Sequence, residues 1–275
     1  MTSLLPLAQI KAQADMPQPL NILLANDDGI YAPGLAAMDA ALRSLGDVMV
    51  VAPSTEQSGV GHSITYLTPL ICKKVFDHDR FRGWAVDGSP ADSVKLGILE
   101  LAEREVDVVV SGINGGLNAG INVLYSGTVA AAIEGAFFRK PSFAVSLEFD
   151  LHADFDAAAE IAVGLIRQLL RRDITPGQLI NINIPTEATR RLRAGEKVEH
   201  HFVPMGTVQY TNRYLKRQDP KGRDYYWAAS DVLPPPVAME TDIEALWHGY
   251  VTITPLYFDL TSYDTLRAWQ AEPLS

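Results

Sequence analysis

Two adjacent aspartates, Asp27 and Asp28, follow the apolar segment 20–25 after a single asparagine. Neighbouring carboxylates repel each other, and burial increases the cost of keeping both of them ionised. A bound divalent cation would offset that cost, because carboxylate oxygens are preferred ligands of Mg2+, Mn2+ and Ca2+. A plain surface turn is the alternative interpretation, since the Asp28-Gly29 step favours turns.

A second polar segment, residues 111–122, contains four glycines and three asparagines. Glycine lets the backbone approach a ligand closely, and asparagine supplies amide oxygens and donors. Ser126, Gly127 and Thr128 then precede a predicted helix, and helix N-termini bind phosphate through their free N–H groups. A flexible loop with a Ser/Thr cap is the alternative. Neither a P-loop ending nor a G-x-G-x-x-G motif is present.

Alternating strands and helices are predicted to position these two segments. The apolar run 20–25 is typical of a strand buried on both faces of a parallel sheet, and open α/β sheets bind ligands at the carboxyl ends of such strands. The remaining predicted elements are helix 35–42, strand 48–52, short strands within 64–75 and at 81–86, helix 90–101 with Ser89 as N-cap, strand 106–111, helix 129–138, helix 149–171 and strand 179–184. This alternation predicts a doubly wound, mostly parallel α/β fold.

Composition limits the classes of function. The formal net charge of −10 argues against duplex nucleic acid as a partner, because duplex binding requires Lys and Arg to neutralise phosphates. The single cysteine, Cys72, excludes an intrachain disulfide framework and a Cys-rich zinc site. Neither a secretory signal pattern nor a membrane-length apolar run is present, so we expect a cytoplasmic protein with no membrane partner and an N-terminal extension over residues 1–19.

Four motifs occur along the chain in a specific order. They are N-D-D-G-I-Y-A-P-G at 26–34, V-V-A-P-S-T-E-Q-S-G at 50–59, V-D-V-V-V-S-G-I-N-G-G-L-N-A-G at 106–120 and Y-S-G-T-V-A-A-A-I-E-G at 125–135. Together they resemble the survival protein E (SurE) family of 5′/3′-nucleotidases, with weak coverage over 64–81 and 190–208. The resemblance implies a metal-dependent phosphatase of nucleoside monophosphates with a Rossmann-like core and a homo-oligomeric assembly.

The resemblance also implies a set of metal ligands. In this family the two aspartates of the first turn bind the metal, together with one serine and one asparagine. The corresponding residues here are Asp27, Asp28, Ser58 and Asn114. Such an all-oxygen set suits one divalent ion, Mg2+ or Mn2+ with Ca2+ also compatible, better than zinc. Many members carry a basic residue before the serine, where this chain has Gln57.

Phosphate binding is expected from a separate group of residues, namely Gly59, Asn118, Ser126, Gly127 and Thr128. Asp27 and Asp28 are the predicted catalytic residues. We expect a metal-activated water as the nucleophile, because phospho-aspartate phosphatases generally need carboxylates two positions apart and these are adjacent. Asp28 is the candidate acceptor of its proton. The alternative function is a non-catalytic nucleotide-binding regulatory module.

Other polar residues near these segments are interpreted as structural. His62 is expected to be a hydrogen-bonded loop residue, with phosphate binding or proton transfer as the alternative. Asp87 and Asp92 are expected to cap helix 90–101 rather than to bind metal. Glu134, beyond residues 126–128 on the next predicted helix, is also expected to be structural.

The chain beyond residue 185 differs in composition from the predicted catalytic core, residues 20–185. Residues 186–275 are predicted to be a β-rich oligomerisation extension. It comprises a basic stretch at 190–197, a hairpin turn at 219–222, a proline-rich connector at 231–238 and a closing strand at 249–256. Because exposed Tyr and Trp are common interface anchors, we expect a homodimer or homotetramer. An intramolecular β-extension is the alternative.

Overall fold

A computed structural model of the chain describes residues 19–172, 174–207, 212–230 and 240–271. The strands are β1 Leu20–Ala25, β2 Gly46–Pro53, β3 Cys72–Asp77, β4 Arg80–Val86, β5 Val108–Gly115, β6 Ser142–Leu147, β7 Leu179–Ile184, β8 His200–Phe202, β9 Asn212–Gln218, β10 Asp224–Ser230 and β11 Val251–Leu256. The α-helices are α1 Pro33–Leu42, α2 Pro90–Leu96, α3 Gly127–Phe137, α4 Phe155–Leu170, α5 Thr186–Arg193, α6 Asp242–Trp247 and α7 Tyr263–Ala271.

A central sheet in the described part of the chain has nine strands in the order β3-β4-β2-β1-β5-β6-β7-β11-β8. Strand β1 lies between β2 and β5 and is parallel to both. The pairs β2–β4, β5–β6, β6–β7 and β11–β8 are also parallel, whereas β3–β4 and β7–β11 are antiparallel. The predicted α/β fold with a mostly parallel sheet is therefore confirmed.

Burial on both faces explains the continuous apolar character of β1. Leu24 contributes to the core on the α1 and α4 side of the sheet, and the next residue towards the N-terminus, Leu23, contributes to the core that includes Val94 of α2. Both leucine side chains are fully buried. Because β1 is a central strand of the sheet, the aspartates that follow it lie at the carboxyl end of that strand, where open α/β sheets bind ligands.

The start of α2 follows the predicted capping pattern. The Ser89 hydroxyl accepts a hydrogen bond from the Asp92 backbone N–H at 3.0 Å, and the Asp92 carboxylate accepts one from the Ser89 N–H at 2.9 Å. This reciprocal arrangement satisfies two donors that the first turn leaves unpaired. After α2 the chain continues as a π-helical turn, Gly97–Leu101, so the predicted helical span 90–101 is confirmed.

Several predicted elements differ from the structure. No strand forms over residues 64–71, and the β3–β4 hairpin begins at Cys72. The helix predicted from residue 149 begins at Phe155, because Asp154 caps it by accepting from the Ala157 N–H at 2.8 Å. Strand β6 was not among the predicted elements, since its two serines interrupt the apolar pattern although the whole strand is buried. Part of the basic stretch 190–197 belongs to helix α5.

The C-terminal segments divide between the central sheet and a separate hairpin. Strand β11 pairs with β7 and β8 and therefore closes the central sheet. Strands β9 and β10 form a two-stranded antiparallel sheet around the predicted turn at 219–222. The connector predicted at 231–238 and all of the predicted extension 1–19 except Pro19 lie outside the described residues. None of the helices within the described ranges has the length and apolar character needed to cross a bilayer.

Candidate functional site

The turn after β1 is closed by a buried asparagine. The side chain of Asn26 donates from Nδ2 to the carbonyl of Gly29 at 3.0 Å and accepts from the Gly29 N–H through Oδ1 at 3.2 Å. Gly29 has a φ of +97°, a conformation that a residue with a Cβ rarely adopts. The two hydrogen bonds between Asn26 and Gly29 hold the turn closed and so fix the direction in which Asp27 and Asp28 leave the strand.

Asp27 lies against the first turn of helix α3. The residue is only 5% exposed, and its Oδ1 accepts a short hydrogen bond from the Thr128 hydroxyl. A Cβ added to Gly127 would come within 2.8 Å of the Asp27 Cβ, so only glycine permits this approach. The Asp27 carbonyl also accepts from the Gln57 N–H at 2.8 Å, which attaches the loop after β2. Three predicted segments therefore meet at one residue.

Burial changes the titration of both carboxyl groups. It raises the pKa of Asp27 from 3.8 to about 6; the Thr128 hydroxyl counteracts this shift, and the neighbouring charge of Asp28 adds to it. Burial also raises the pKa of Asp28, while a hydrogen bond from the Gly115 N–H, 3.2 Å from Oδ2, lowers it. Two carboxyl groups that resist ionisation side by side favour a cation as their common partner.

The other two predicted metal ligands lie on the loop after β2 and near the end of β5. Ser58 is exposed, and its hydroxyl donates to Glu56 Oε1 at 2.6 Å. Asn114, near the end of β5, donates from Nδ2 to the Gly116 carbonyl at 2.6 Å. With the amide nitrogen engaged in this way, the Oδ1 of Asn114 is the atom that could bind a cation.

The donor chemistry of these residues fits a hard divalent ion. Within the described ranges, no three His, Cys, Asp or Glu side chains gather as a metal cluster, so a cation at this position would also need neutral oxygen ligands. Ser58 and Asn114 can supply them beside the carboxylates of Asp27 and Asp28. The charges that act on the two aspartates are themselves negative, because Asp28 raises the pKa of Asp27 and Glu56 raises the pKa of Asp28. Oxygen-only donor sets suit Mg2+ or Mn2+.

The predicted phosphate-binding residues fall into two groups. Ser126 caps α3 by accepting from the Val129 N–H at 3.1 Å, and Gly127 and Thr128 follow as its first residues. Gly59, with φ +69°, faces open space, since an added Cβ would meet no atom within 4 Å. These four residues lie at or beside the aspartate site, or on the loop that leads to it.

Asn118 is engaged elsewhere. Its Nδ2 donates to Ser146 Oγ at 2.8 Å, its backbone N–H donates to Asn183 Oδ1 at 2.8 Å, and its carbonyl accepts from Asn181 Nδ2 at 2.7 Å. Asn118 therefore anchors its loop to β6 and β7. The phosphate-binding role of this residue stays a prediction.

Residues that the sequence analysis did not identify hold the 111–122 loop. Besides the polar side chains of β6 and β7, the fully buried Asp242 accepts from the N–H groups of Gly120 and Gly206, each at 2.8 Å. The alternating Asn residues in the otherwise apolar strand β7 were the one local signal of such a network. No local pattern indicates the partners of Asp242.

Of the residues interpreted as structural, Asp92 and His62 make the expected contacts and Asp87 does not. Asp92 caps α2 as expected, but the expectation for Asp87 is wrong: Ser89 occupies the N-cap, and the Asp87 carboxylate lies 3.9 Å from Lys73 Nζ. His62 is hydrogen-bonded, as predicted, with its Nε2 2.9 Å from Glu134 Oε2.

Comparison with known proteins agrees with this architecture. The family model of Survival protein SurE matches residues 22–212. The chain belongs to the SurE family. A 5′-nucleotidase SurE of Rhodopirellula baltica is 56% identical over 258 residues, which are 92% of this chain and 100% of that protein. A 5′-nucleotidase SurE of Syntrophobacter fumaroxidans is 44% identical over 253 residues, which are 91% of this chain and 99% of that protein.

A solved SurE structure has the same fold. The crystal structure of the SurE protein from Aquifex aeolicus aligns with a TM-score of 0.78 and 37% sequence identity, over 91% of this chain and 98% of that chain. The family resemblance and the Rossmann-like SurE fold are thus confirmed. The assignment of individual residues to metal and phosphate remains a prediction.

Proposed function

We propose that this chain is a metal-dependent nucleotidase that hydrolyses nucleoside 5′- or 3′-monophosphates to nucleoside and phosphate. The observation that carries the proposal is the contact between Asp27 and Thr128, which joins a buried carboxylate to the N-terminus of α3. A cation-binding group and a phosphate-binding helix end are thereby neighbours. The SurE proteins of Rhodopirellula baltica and Syntrophobacter fumaroxidans, both named 5′-nucleotidases, support the same activity.

The metal ligands in this proposal are Asp27, Asp28, Ser58 and Asn114, and the ion is Mg2+ or Mn2+. The buried, mutually repelling carboxyl groups of the two aspartates support this assignment. When bound, the ion would neutralise phosphoryl oxygens and lower the pKa of water.

Residues of the protein would orient the phosphate and accept the proton that the attacking water releases. The N-terminal turn of α3, with Gly127 and Thr128, would bind phosphoryl oxygens through N–H groups that a helix leaves unpaired at its start. Asp28 would take up the proton of the attacking water. Its lesser burial, compared with Asp27, supports that role.

Homo-oligomerisation through residues 186–275 is a further part of the proposal, as a dimer or tetramer. Aromatic side chains of the β9–β10 hairpin support it, because Tyr214, Tyr226 and Trp227 are 69%, 57% and 64% exposed in the single chain. Light scattering on the full chain tests it, and a monomeric mass would refute it.

A phosphatase assay tests the activity directly. Hydrolysis of p-nitrophenyl phosphate and of a panel of nucleoside 5′- and 3′-monophosphates should require added Mg2+ or Mn2+ and stop in EDTA. The Asp27→Asn variant should fold and lose metal-dependent turnover. A wild-type protein that binds nucleotides without turnover under these conditions would instead be the regulatory module.

A further inference from the structure

The loop that carries Ser58 contains two backbone positions of high intrinsic freedom. Gly59 and Gly61 both have positive φ angles, +69° and +57°. Neither glycine supplies a side chain that could hold the loop, and Ser58 itself is exposed. Since Ser58 is the proposed metal ligand on this loop, other contacts must fix its position.

The contacts that fix the far end of the loop reach helix α3 and the residues just before it. The Gly61 N–H donates to the Tyr125 carbonyl at 3.0 Å. The next residue, His62, lies with Nε2 2.9 Å from Glu134 Oε2, and its ring stacks on Phe137 with the ring centroids 5.2 Å apart. Glu134 and Phe137 are one turn apart on α3, so a single face of the helix holds the imidazole.

The carboxylate that contacts His62 is buried. The Glu134 side chain is 6% exposed, and its other carboxylate oxygen lies 3.9 Å from Lys95 Nζ on α2. A buried carboxylate needs partners of fixed geometry, because leaving it unsatisfied is costly. His62 is thereby held in one orientation on α3.

The same helix contacts Asp27 at its N-terminus. Thr128, in the first turn of α3, donates to the Asp27 carboxylate. The near end of the loop meets the same aspartate, because the Gln57 N–H donates to the Asp27 carbonyl. Residues 57–62 are therefore attached to Asp27 at one end and to α3 at the other. The His62–Glu134 contact is part of the attachment to α3.

We infer that His62 and Glu134 form a positioning pair that holds Ser58 in place for metal binding. The inference rests on the proposed metal-dependent function of this site. Neither residue touches the reacting atoms; each acts through the position of the loop. Residues that orient a metal ligand from behind typically change metal affinity or activity 10- to 100-fold when they are mutated.

Four variants separate positioning from general stability. His62→Ala removes the contact, and His62→Gln retains a side-chain amide that can hydrogen-bond to Glu134. Glu134→Gln retains a hydrogen-bonding group and removes the charge. His78→Ala is the matched control. His78 is 96% exposed, and its side chain pairs with Asp77 at the β3–β4 turn, outside the loop that carries Ser58.

The readouts are Mn2+ affinity, by titration calorimetry, and hydrogen exchange of peptides that cover residues 57–61 in the metal-free protein. In His62→Ala we expect about tenfold weaker Mn2+ binding and faster exchange of the Gln57 and Gly61 amides, with exchange in the β1 core unchanged. His62→Gln should recover most of the Mn2+ affinity, Glu134→Gln should lie between, and His78→Ala should match wild type.

Unchanged loop exchange in His62→Ala, or an equal effect in His78→Ala, would overturn the positioning pair. The exchange measurement needs no metal and no turnover, so it decides whether the pair holds the loop even if wild-type protein neither binds Mn2+ nor hydrolyses nucleotides. Those two results would refute the proposed function instead. If His62→Ala fails to fold, Glu134→Gln decides instead: faster exchange of the Gln57 and Gly61 amides would support the pair, and wild-type exchange would overturn it.

Discussion

The hydroxyl of Thr128 donates to the carboxylate of Asp27 across 101 positions of sequence. This hydrogen bond joins the carboxyl end of the central strand β1 to the amino end of α3. Because α3 also holds His62 through Glu134, one helix organises both the carboxylate side and the serine side of the proposed metal site.

Thr128→Val removes this hydroxyl at nearly constant volume. The buried Asp27 carboxylate then loses a donor, and hydrogen bonds to charged groups are worth about 1.5–3 kcal/mol. We expect kcat/KM for a nucleoside monophosphate to fall about 10- to 100-fold. Thr128→Ser, which keeps the hydroxyl, should retain most of the activity. Wild-type kinetics in folded Thr128→Val would contradict the importance of the contact.

Gly127→Ala tests the close approach of α3 to the strand end. Its Cβ would lie 2.8 Å from the Asp27 Cβ and 3.0 Å from Pro90 Cγ, so the helix must move. We expect a loss of stability of about 1–3 kcal/mol in urea unfolding, together with weaker metal binding. Gly115→Ala is the control for stability, since its nearest contact would be an ordinary 3.8 Å from Phe155 Cζ. Equal stabilities of the two variants would argue against the crowding.

Asp242→Asn tests the anchor of the 111–122 loop. The carboxylate accepts from the N–H groups of Gly120 and Gly206, and the amide would turn a donor towards one of them. Burial of the unsatisfied groups should cost about 2–4 kcal/mol of unfolding free energy and lower the activity through the displaced loop. Urea unfolding and steady-state kinetics measure the two effects. Asp219→Asn, in the exposed β9–β10 turn, is the comparison and should leave activity unchanged.

The Asp154–Arg193 ion pair predicts a pH dependence of stability. Arg193 donates to both oxygens of Asp154, at 2.7 and 2.9 Å, and these hydrogen bonds lower the pKa of Asp154 below its usual 3.8. The ionised form is therefore favoured by folding. Its stabilisation is complete above about pH 5 and is lost as the pH falls through the folded-state pKa. The effect should be small, because solvent screens this partly exposed pair.

Asp154→Asn should remove that pH dependence. Asparagine can still cap α4, so the variant isolates the ion pair from the cap. The difference in urea midpoint between wild type and variant should be largest at pH 6 and should shrink as the pH falls below 3.8, the usual pKa of an Asp carboxyl. A difference that stays constant from pH 6 to pH 3 would show that the pair is not responsible.

Local sequence patterns could predict the elements whose signals lie within a few consecutive residues. The apolar run of β1 and the Ser89 capping pattern both correspond to observed structure, because their signals lie within a few residues. Strand β6 escaped prediction because Ser142 and Ser146 break its apolar pattern. Ser146 is buried all the same, because it pairs in register with Asn114 and accepts from Asn118.

Contacts between distant segments could not be predicted from local patterns. Nothing near Thr128 indicates Asp27 as its partner, and nothing near Asp242 indicates Gly120. Both contacts depend on how helices pack on the completed sheet. The family motifs supplied the candidate ligands, but the network that holds their loops became visible only in three dimensions.

Anomalous diffraction from a crystal soaked in Mn2+ tests the central claim most directly. We predict one manganese peak within coordination distance, about 2.0–2.3 Å, of oxygens from Asp27, Asp28, Ser58 and Asn114. It should be absent in crystals of Asp27→Asn. A wild-type crystal without manganese at these residues, or with its only peak elsewhere, would contradict the account.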